Sequence, residues 1–240
     1  SAGMITLLAR PGSLVAGAAV PLEAEEERHL AVRRAGLDSA IELLDGAGTR
    51  ADGRLLQDGR RLTVRVERLT TEPQPAAMVL AVGAGDRDRF GLLAEQAAQL
   101  GATRLVPLET DRAVSVATRL RHAHLERLRR RAREAIKQSG AAWAPAVDEP
   151  LPLAEFLSRP RVGTAWLADA EGAAPPGLPA AEPLTVAVGP EGGFTDEERA
   201  RLLGAGFRPV RLGPHRLRFE TAALAALITA WLARQRGRHG

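Results

Sequence analysis

The chain of 240 residues contains no cysteine and no tyrosine. Without cysteine it has no disulfide framework, no thiolate-held zinc or iron–sulfur centre and no thiol nucleophile. Aromatic residues make up only 3%, which argues against the stacking platforms on which many single-strand RNA binders lay their bases. Lysine is reduced to Lys137, so arginine supplies the rest of the 33 basic side chains. The planar guanidinium fork suits phosphate. A GC-rich genome produces the same excess, however, so position has to carry the argument. Long apolar runs are missing too. The most apolar segment, 222–233, is interrupted by Thr229 and is too short to span a bilayer. Ser1-Ala2-Gly3 ahead of Met4 reads as an expression scar, with Met4 the natural start, and no secretory segment is expected. A soluble cytoplasmic protein is the expectation.

What is present suffices for a globular core. Apolar residues reach 45%, the formal charge is +4, and the length accommodates one or two domains. Segments 5–9, 40–44, 53–57 and 62–69 read as short strands, with Asp45-Gly46 and Asp58-Gly59 as turns and 25–34 as a short helix. This predicts a small β-rich domain, residues 1–72, with balanced charge. Pro73 and Pro75 interrupt any regular element. From 73 to 240 strands (78–82, 104–108, 162–167, 184–188, 209–212) alternate with helices (88–100, 118–139, 195–203, 220–235), which predicts an α/β domain with a parallel sheet covered on both faces. The Pro/Ala/Gly-rich stretch 171–183 reads as a solvent loop.

Three segments are candidates for chemistry. Gly189-Pro190-Glu191-Gly192-Gly193-Phe194 follows a strand, and Thr195-Asp196-Glu197-Glu198 opens a helix with a capping box. Adjacent glycines at such a place let a ligand approach the backbone, although a plain turn with Glu191 in water fits the spacing equally well. The segment from Leu212 to Ala222 also links a strand to a helix, so the two loops predict the walls of one pocket with Arg218 and Glu220 at its rim. Taken alone, Arg216 and Arg218 fit solvated positions and Glu220 fits a helix N-terminus. The third candidate, 119–137, sets Leu125, Leu128, Ala132, Ala135 and Ile136 at helical spacing, with eight basic against two acidic residues on the other faces. Arg119, Arg121, Arg129, Arg130, Arg131 and Arg133 there are candidate phosphate ligands. His122 and His124 lack partners at metal spacing, and no metal site is predicted. The last helix carries Leu224, Leu227, Ile228, Trp231 and Leu232 around its circumference, so either a second subunit or the chain's own core covers it. Gly83-Ala84-Gly85 matches two glycines of a dinucleotide fingerprint, but Asp88 stands where the third belongs, and no function is assigned to it.

Together, the Gly189–Phe194 run with Thr195-Asp196-Glu197-Glu198, Leu212-Gly213, and Leu217-Arg218 with Glu220-Thr221-Ala222 resemble the RsmE family. Gln96, Leu100-Gly101, Val106-Pro107-Leu108, Gln138-Ser139, His29-Leu30, Arg34 and Asp45-Gly46 add weaker matches. The family comprises bacterial methyltransferases that modify N3 of a uridine in 16S ribosomal RNA. Their SPOUT-class domain ends in a trefoil knot and follows a PUA-like RNA-binding β-barrel. The resemblance implies a cytoplasmic homodimer acting on the small ribosomal subunit, with no membrane or metal involved. It implies S-adenosylmethionine as cofactor, walled by Leu167, Ala168, Gly189, Glu191, Gly192, Leu212, Leu217 and Arg218. Arg218 would donate to a uracil oxygen and Glu220 or Glu191 would take the N3 proton, unless both carboxylates only brace the loops or hold the cofactor. Arg34 joins the expected RNA contacts. A SPOUT enzyme acting on another RNA or on a ribose 2′-hydroxyl, and a non-catalytic rRNA-binding assembly factor, are the alternatives. Lys137 departs from the family pattern, which has an acidic residue before Gln138-Ser139.

Overall fold

Short alternating strands at the start of the chain and fully apolar strands after Pro75 call for two kinds of sheet. A computed structural model, which describes residues 4–112, 120 and 122–237, contains both. The chain divides into two compact units, Ser1–Gln74 with Arg133–Ala144, and Pro75–Ala132 with Pro145–Gly240. The proline break falls near this boundary. The return of 133–144 to the first unit is a long-range event that no local composition signals.

The first unit contains β1 (Ile5–Leu8), β2 (Ala19–Pro21), α1 (Ala24–Arg33), β3 (Ala40–Leu44), β4 (Thr49–Asp58) and β5 (Arg61–Thr71). They form one sheet in the order β1-β3-β4-β5-β2. β1 is parallel to β3, and the other pairs are antiparallel. Residues buried along alternate positions of β4, Ala51 and Leu55 among them, join Leu7, Leu43, Val64 and Leu30 in the core. Asp45 is buried at the β3–β4 turn, where its carboxylate accepts from the N–H groups of Gly12, Ala47 and Thr49. That arrangement satisfies the charge by backbone dipoles.

The second unit runs through β6 (Met78–Gly83), α2 (Arg87–Gln99), β7 (Arg104–Glu109), α3 (His122–Ser139, whose last turns belong to the first unit), β8 (Ala146–Val147), β9 (Leu151–Pro152) and α4 (Leu153–Ser158). β10 (Thr164–Ala173), β11 (Leu184–Val188), α5 (Asp196–Gly204), β12 (Arg208–Val210) and α6 (Phe219–Arg236) complete it. The sheet order is β12-β10-β11-β6-β7-β8, with β9 beside β7, and every pair is parallel. Successive residues of the central strands serve opposite cores. Leu80, Val82, Val186 and Trp166 pack with Phe90 of α2 and Ala223 and Leu227 of α6. Ala81, Ala187 and Leu167 pack with Phe156 of α4 and Leu202 of α5. Pro107 sits inside β7, a place usually closed to proline. It lies between the residues that pair with β8 (Arg104, Leu105) and those that pair with β9 (Leu108, Glu109), so its missing N–H breaks neither ladder.

One expectation is corrected and another is narrowed. The segment 171–183 is not all loop, because β10 continues to Ala173, which pairs with Val210 of β12 across a register shift that begins after Ala168. The last helix is apolar nearly all round, as read, but the chain's own core does not cover every side of it. Ala222, Ala223, Ala226, Ala230 and Ala233 face the core, whereas Ile228, Trp231 and Leu232 are exposed.

A three-loop cavity as the candidate active site

In parallel sheets the strand order determines which loops meet at the C-terminal edge. Here β12, β10 and β11 are neighbours, so the turns that leave them converge. They enclose a cavity of about 780 Å³. Of the residues expected to wall a cofactor, Leu167, Ala168, Gly189, Glu191, Leu212, Leu217 and Arg218 line it. Gly192 does not, although its loop does, and the catalytic candidate Glu220, in the first turn of α6, is not in the lining either.

The Gly loop is a tight turn closed by the Gly193 N–H donating to the Pro190 carbonyl at 2.8 Å, with Gly193 in the left-handed region at φ 72°. The helix behind it is capped as the sequence predicts. Thr195 Oγ1 accepts from the Glu198 N–H, and the Glu198 carboxylate accepts from the Thr195 N–H. The capping carboxylate has a second partner invisible to local reading, the Asp111 N–H at 2.8 Å, and is only 3% exposed. Beside it Arg112 donates to the Gly192 carbonyl at 3.0 Å. A Cβ built on Gly192 would lie 3.2 Å from that of Arg112. Gly192 thus packs closely on Arg112 and lies outside the cavity lining.

Glu191 faces the cavity, and its carboxylate accepts from the Asp86 N–H at 3.0 Å. Asp86 caps α2 by accepting from the N–H groups of Asp88 and Arg89. A Cβ on Gly85 would fall 1.9 Å from the Glu191 carboxylate, and one on Gly83 would fall 2.4 Å from Pro190. The Gly83-Ala84-Gly85 segment thus has a role after all: it is the floor on which the Gly-Pro-Glu turn rests. Arg218 is the exposed N-cap of α6 at the rim. Glu220 lies in the first turn of α6 with one carboxylate oxygen buried and without a hydrogen-bond partner among the described residues.

Sequence reasoning missed Arg89, Asp169, Arg199 and Arg211, which also line the cavity, as does Arg216, read from sequence as solvated. Arg211 flanks the second candidate segment and was legible. Asp169 and Arg199 meet only through the fold, in an ion pair at 2.8 Å. The arginine helix divides. Arg129 donates to the Val147 carbonyl and pairs with Glu126 and Glu149. Arg131 pairs with Glu95, and Arg133 donates to the Ala9 carbonyl. Arg130 is exposed with no ion pair among the described residues. Arg34, also exposed, holds the left-handed C-cap of α1 at φ 52°. Arg119 and Arg121 lie outside the described residues. Among the described residues no three His, Asp or Glu side chains gather as a metal site.

The sequence model of the RNA methyltransferase domain family matches residues 72–231. Ribosomal RNA small subunit methyltransferase E of Mycobacterium bovis is 34% identical over 225 residues, covering 88% of this chain and 85% of that protein. The protein of the same name from Synechocystis is 33% identical over 172 residues, 65% of this chain and 52% of its own, so the chain spans about half of that relative. Ribosomal RNA small subunit methyltransferase E from Neisseria gonorrhoeae, crystallised with S-adenosylmethionine, superposes with a TM-score of 0.84 at 28% identity, over 94% of this chain and 96% of that one. The parallel sheet, its convergent loops and this kinship agree, and the chain belongs to the ribosomal RNA small subunit methyltransferase E family, RsmE.

Proposed function

We propose that this chain is an S-adenosylmethionine-dependent methyltransferase that modifies N3 of a uridine in 16S ribosomal RNA of the small subunit. The observation that carries the reading is the convergence of the loops after β10, β11 and β12 around one cavity, in a chain of this family. The cavity fits the cofactor: about 780 Å³ lies within the range of small-molecule sites. Leu167, Ala168, Leu212 and Leu217 offer an apolar wall for a purine, and Gly189 offers open backbone. When bound, S-adenosylmethionine supplies a methyl group already activated by its positive sulfur.

The chain's own task is to align a uracil nitrogen and to manage its proton. Arg218, exposed at the rim, donates to a uracil carbonyl oxygen and stabilises charge spreading onto O2 and O4. Glu191 is the better placed proton acceptor, because it faces the cavity while the Asp86 N–H holds one of its oxygens. Glu220, away from the cavity wall, serves the N-terminus of α6 instead. N3 lies on the pairing edge, so the target uridine is unpaired or extruded when it reacts.

The same reading covers the rest of the molecule. The first unit acts as a PUA-like RNA-binding barrel. The second is a SPOUT domain with a C-terminal knot: after edge strand β12, α6 returns to pack on central strands β6 and β11, a path compatible with threading. Ile228, Trp231 and Leu232, between 44% and 56% exposed, support a homodimer through α6. No described helix is long and apolar enough to cross a membrane, and a ribosomal RNA substrate supports work in the cytoplasm. The test is mass mapping of 16S rRNA from a deletion strain, with and without the complementing gene. One N3-methyluridine should vanish and return. A lost ribose methyl group, a mark lost from another RNA, or no lost mark at all would refute the assignment.

A further inference from the structure

We propose that the corner at Asp111 and Arg112 is a clamp on the Gly loop, with Arg112 as a positioning residue for the cofactor; the cofactor part rests on the function proposed above. Two contacts join elements far apart in sequence. The Asp111 N–H donates to the buried Glu198 carboxylate at 2.8 Å, and the Arg112 guanidinium donates to the Gly192 carbonyl at 3.0 Å. Glu198 uses its other oxygen on the Thr195 N–H, so a single carboxylate ties the corner after β7 to the start of α5.

Gly192 has no place in the cavity lining, yet the residues on either side of it, Glu191 and Gly193, both line the cavity. A peptide held by its carbonyl from outside determines how its neighbours face inward. Gly193, at φ 72°, is a joint that turns readily unless something holds it. The Arg112 bond is charge-assisted and therefore stronger than an ordinary loop hydrogen bond. The close approach of Arg112 also explains why position 192 carries no side chain. Gly192 has no left-handed φ to require glycine, but a side chain there would press on Arg112.

The experiment compares the full-length chain with Arg112→Ala, Arg112→Lys, Gly192→Val and the Arg112→Ala/Gly192→Val double variant. Amide hydrogen exchange over 191–194 is read without cofactor, S-adenosylmethionine affinity by calorimetry, and kcat and KM on 16S rRNA. Arg112→Ala should speed exchange in the loop and weaken S-adenosylmethionine binding about tenfold. Arg112→Lys should recover part of both. The double variant should be at least as impaired as the worse single one, because the Arg112 Cβ that crowds position 192 remains in alanine. Unchanged exchange in Arg112→Ala, or affinity within twofold of the parent, would each overturn the clamp. If the parent protein binds no S-adenosylmethionine, the functional reading falls, while the exchange data still decide whether the clamp exists.

Discussion

Lys137, the sole lysine, has two carboxylate partners. Its ammonium donates to Glu26 at 2.7 Å and pairs with Glu134 at 2.9 Å. Glu26 is 3% exposed and also accepts from the Leu8 N–H. Burial pushes the Lys137 pKa down, but the hydrogen bonds and charges of Glu26 and Glu134 outweigh it, so the pKa stands above the ordinary value of 10.5. A cation whose pKa rises on folding stabilises the fold below the unfolded pKa, and that contribution is lost as pH climbs through the folded value. The relevant window therefore opens above pH 10.5. With no tyrosine and no cysteine in the chain, Lys137 is the one side chain other than arginine that titrates there. Urea unfolding should show stability falling from pH 10 to pH 12, and Lys137→Met should remove most of that fall. At neutral pH the same substitution leaves Glu26 buried and unpaired, at a cost of about 3 kcal/mol. A flat alkaline profile in the parent would refute the pairing.

At the scale of elements, α6 buries mostly small residues. Ala223, Ala226 and Ala230 are fully buried beside Leu227 on the face that packs with α2 and the sheet, whereas Ile228, Trp231 and Leu232 are exposed. Ala226→Leu should therefore overpack the core and destabilise the protein by about 2 kcal/mol in denaturant titration. Trp231→Arg, at a position 56% exposed, should leave a single protomer folded yet convert a dimer to monomer in sedimentation or light scattering. If Trp231→Arg instead unfolds the protein without changing its association state, α6 is not the dimer face.

For the molecule as a whole, the question is which arginines meet RNA. The +4 charge says little, because many guanidinium groups are occupied internally. Arg129 and Arg131 are paired with Glu126, Glu149 and Glu95, so replacing them weakens the fold as well as any RNA contact. Arg89, Arg211 and Arg216 line the cavity without an ion pair among the described residues. We expect Arg211→Ala with Arg216→Ala to reduce the slope of log affinity for 16S rRNA against log salt by about 1.5, near the value for two lost phosphate contacts, with little change in Tm. An unaltered slope would remove these arginines from the RNA interface.

The sequence by itself determined the local features. The alternation of apolar strands with amphipathic helices, the capping box at Thr195 and the Gly-Pro-Glu-Gly-Gly turn follow from periodicities and backbone preferences that act over a few residues. Only the tertiary structure decided which described charges are paired and what crowds Gly83, Gly85 and Gly192. The Asp169–Arg199 pair, the double use of Glu198, the seating of Arg112 on Gly192 and the support of Glu191 by Gly85 all join residues distant in sequence. Such contacts depend on strand order and loop convergence, because a side chain's neighbours across a parallel sheet come from crossovers of many residues, and no local pattern encodes them.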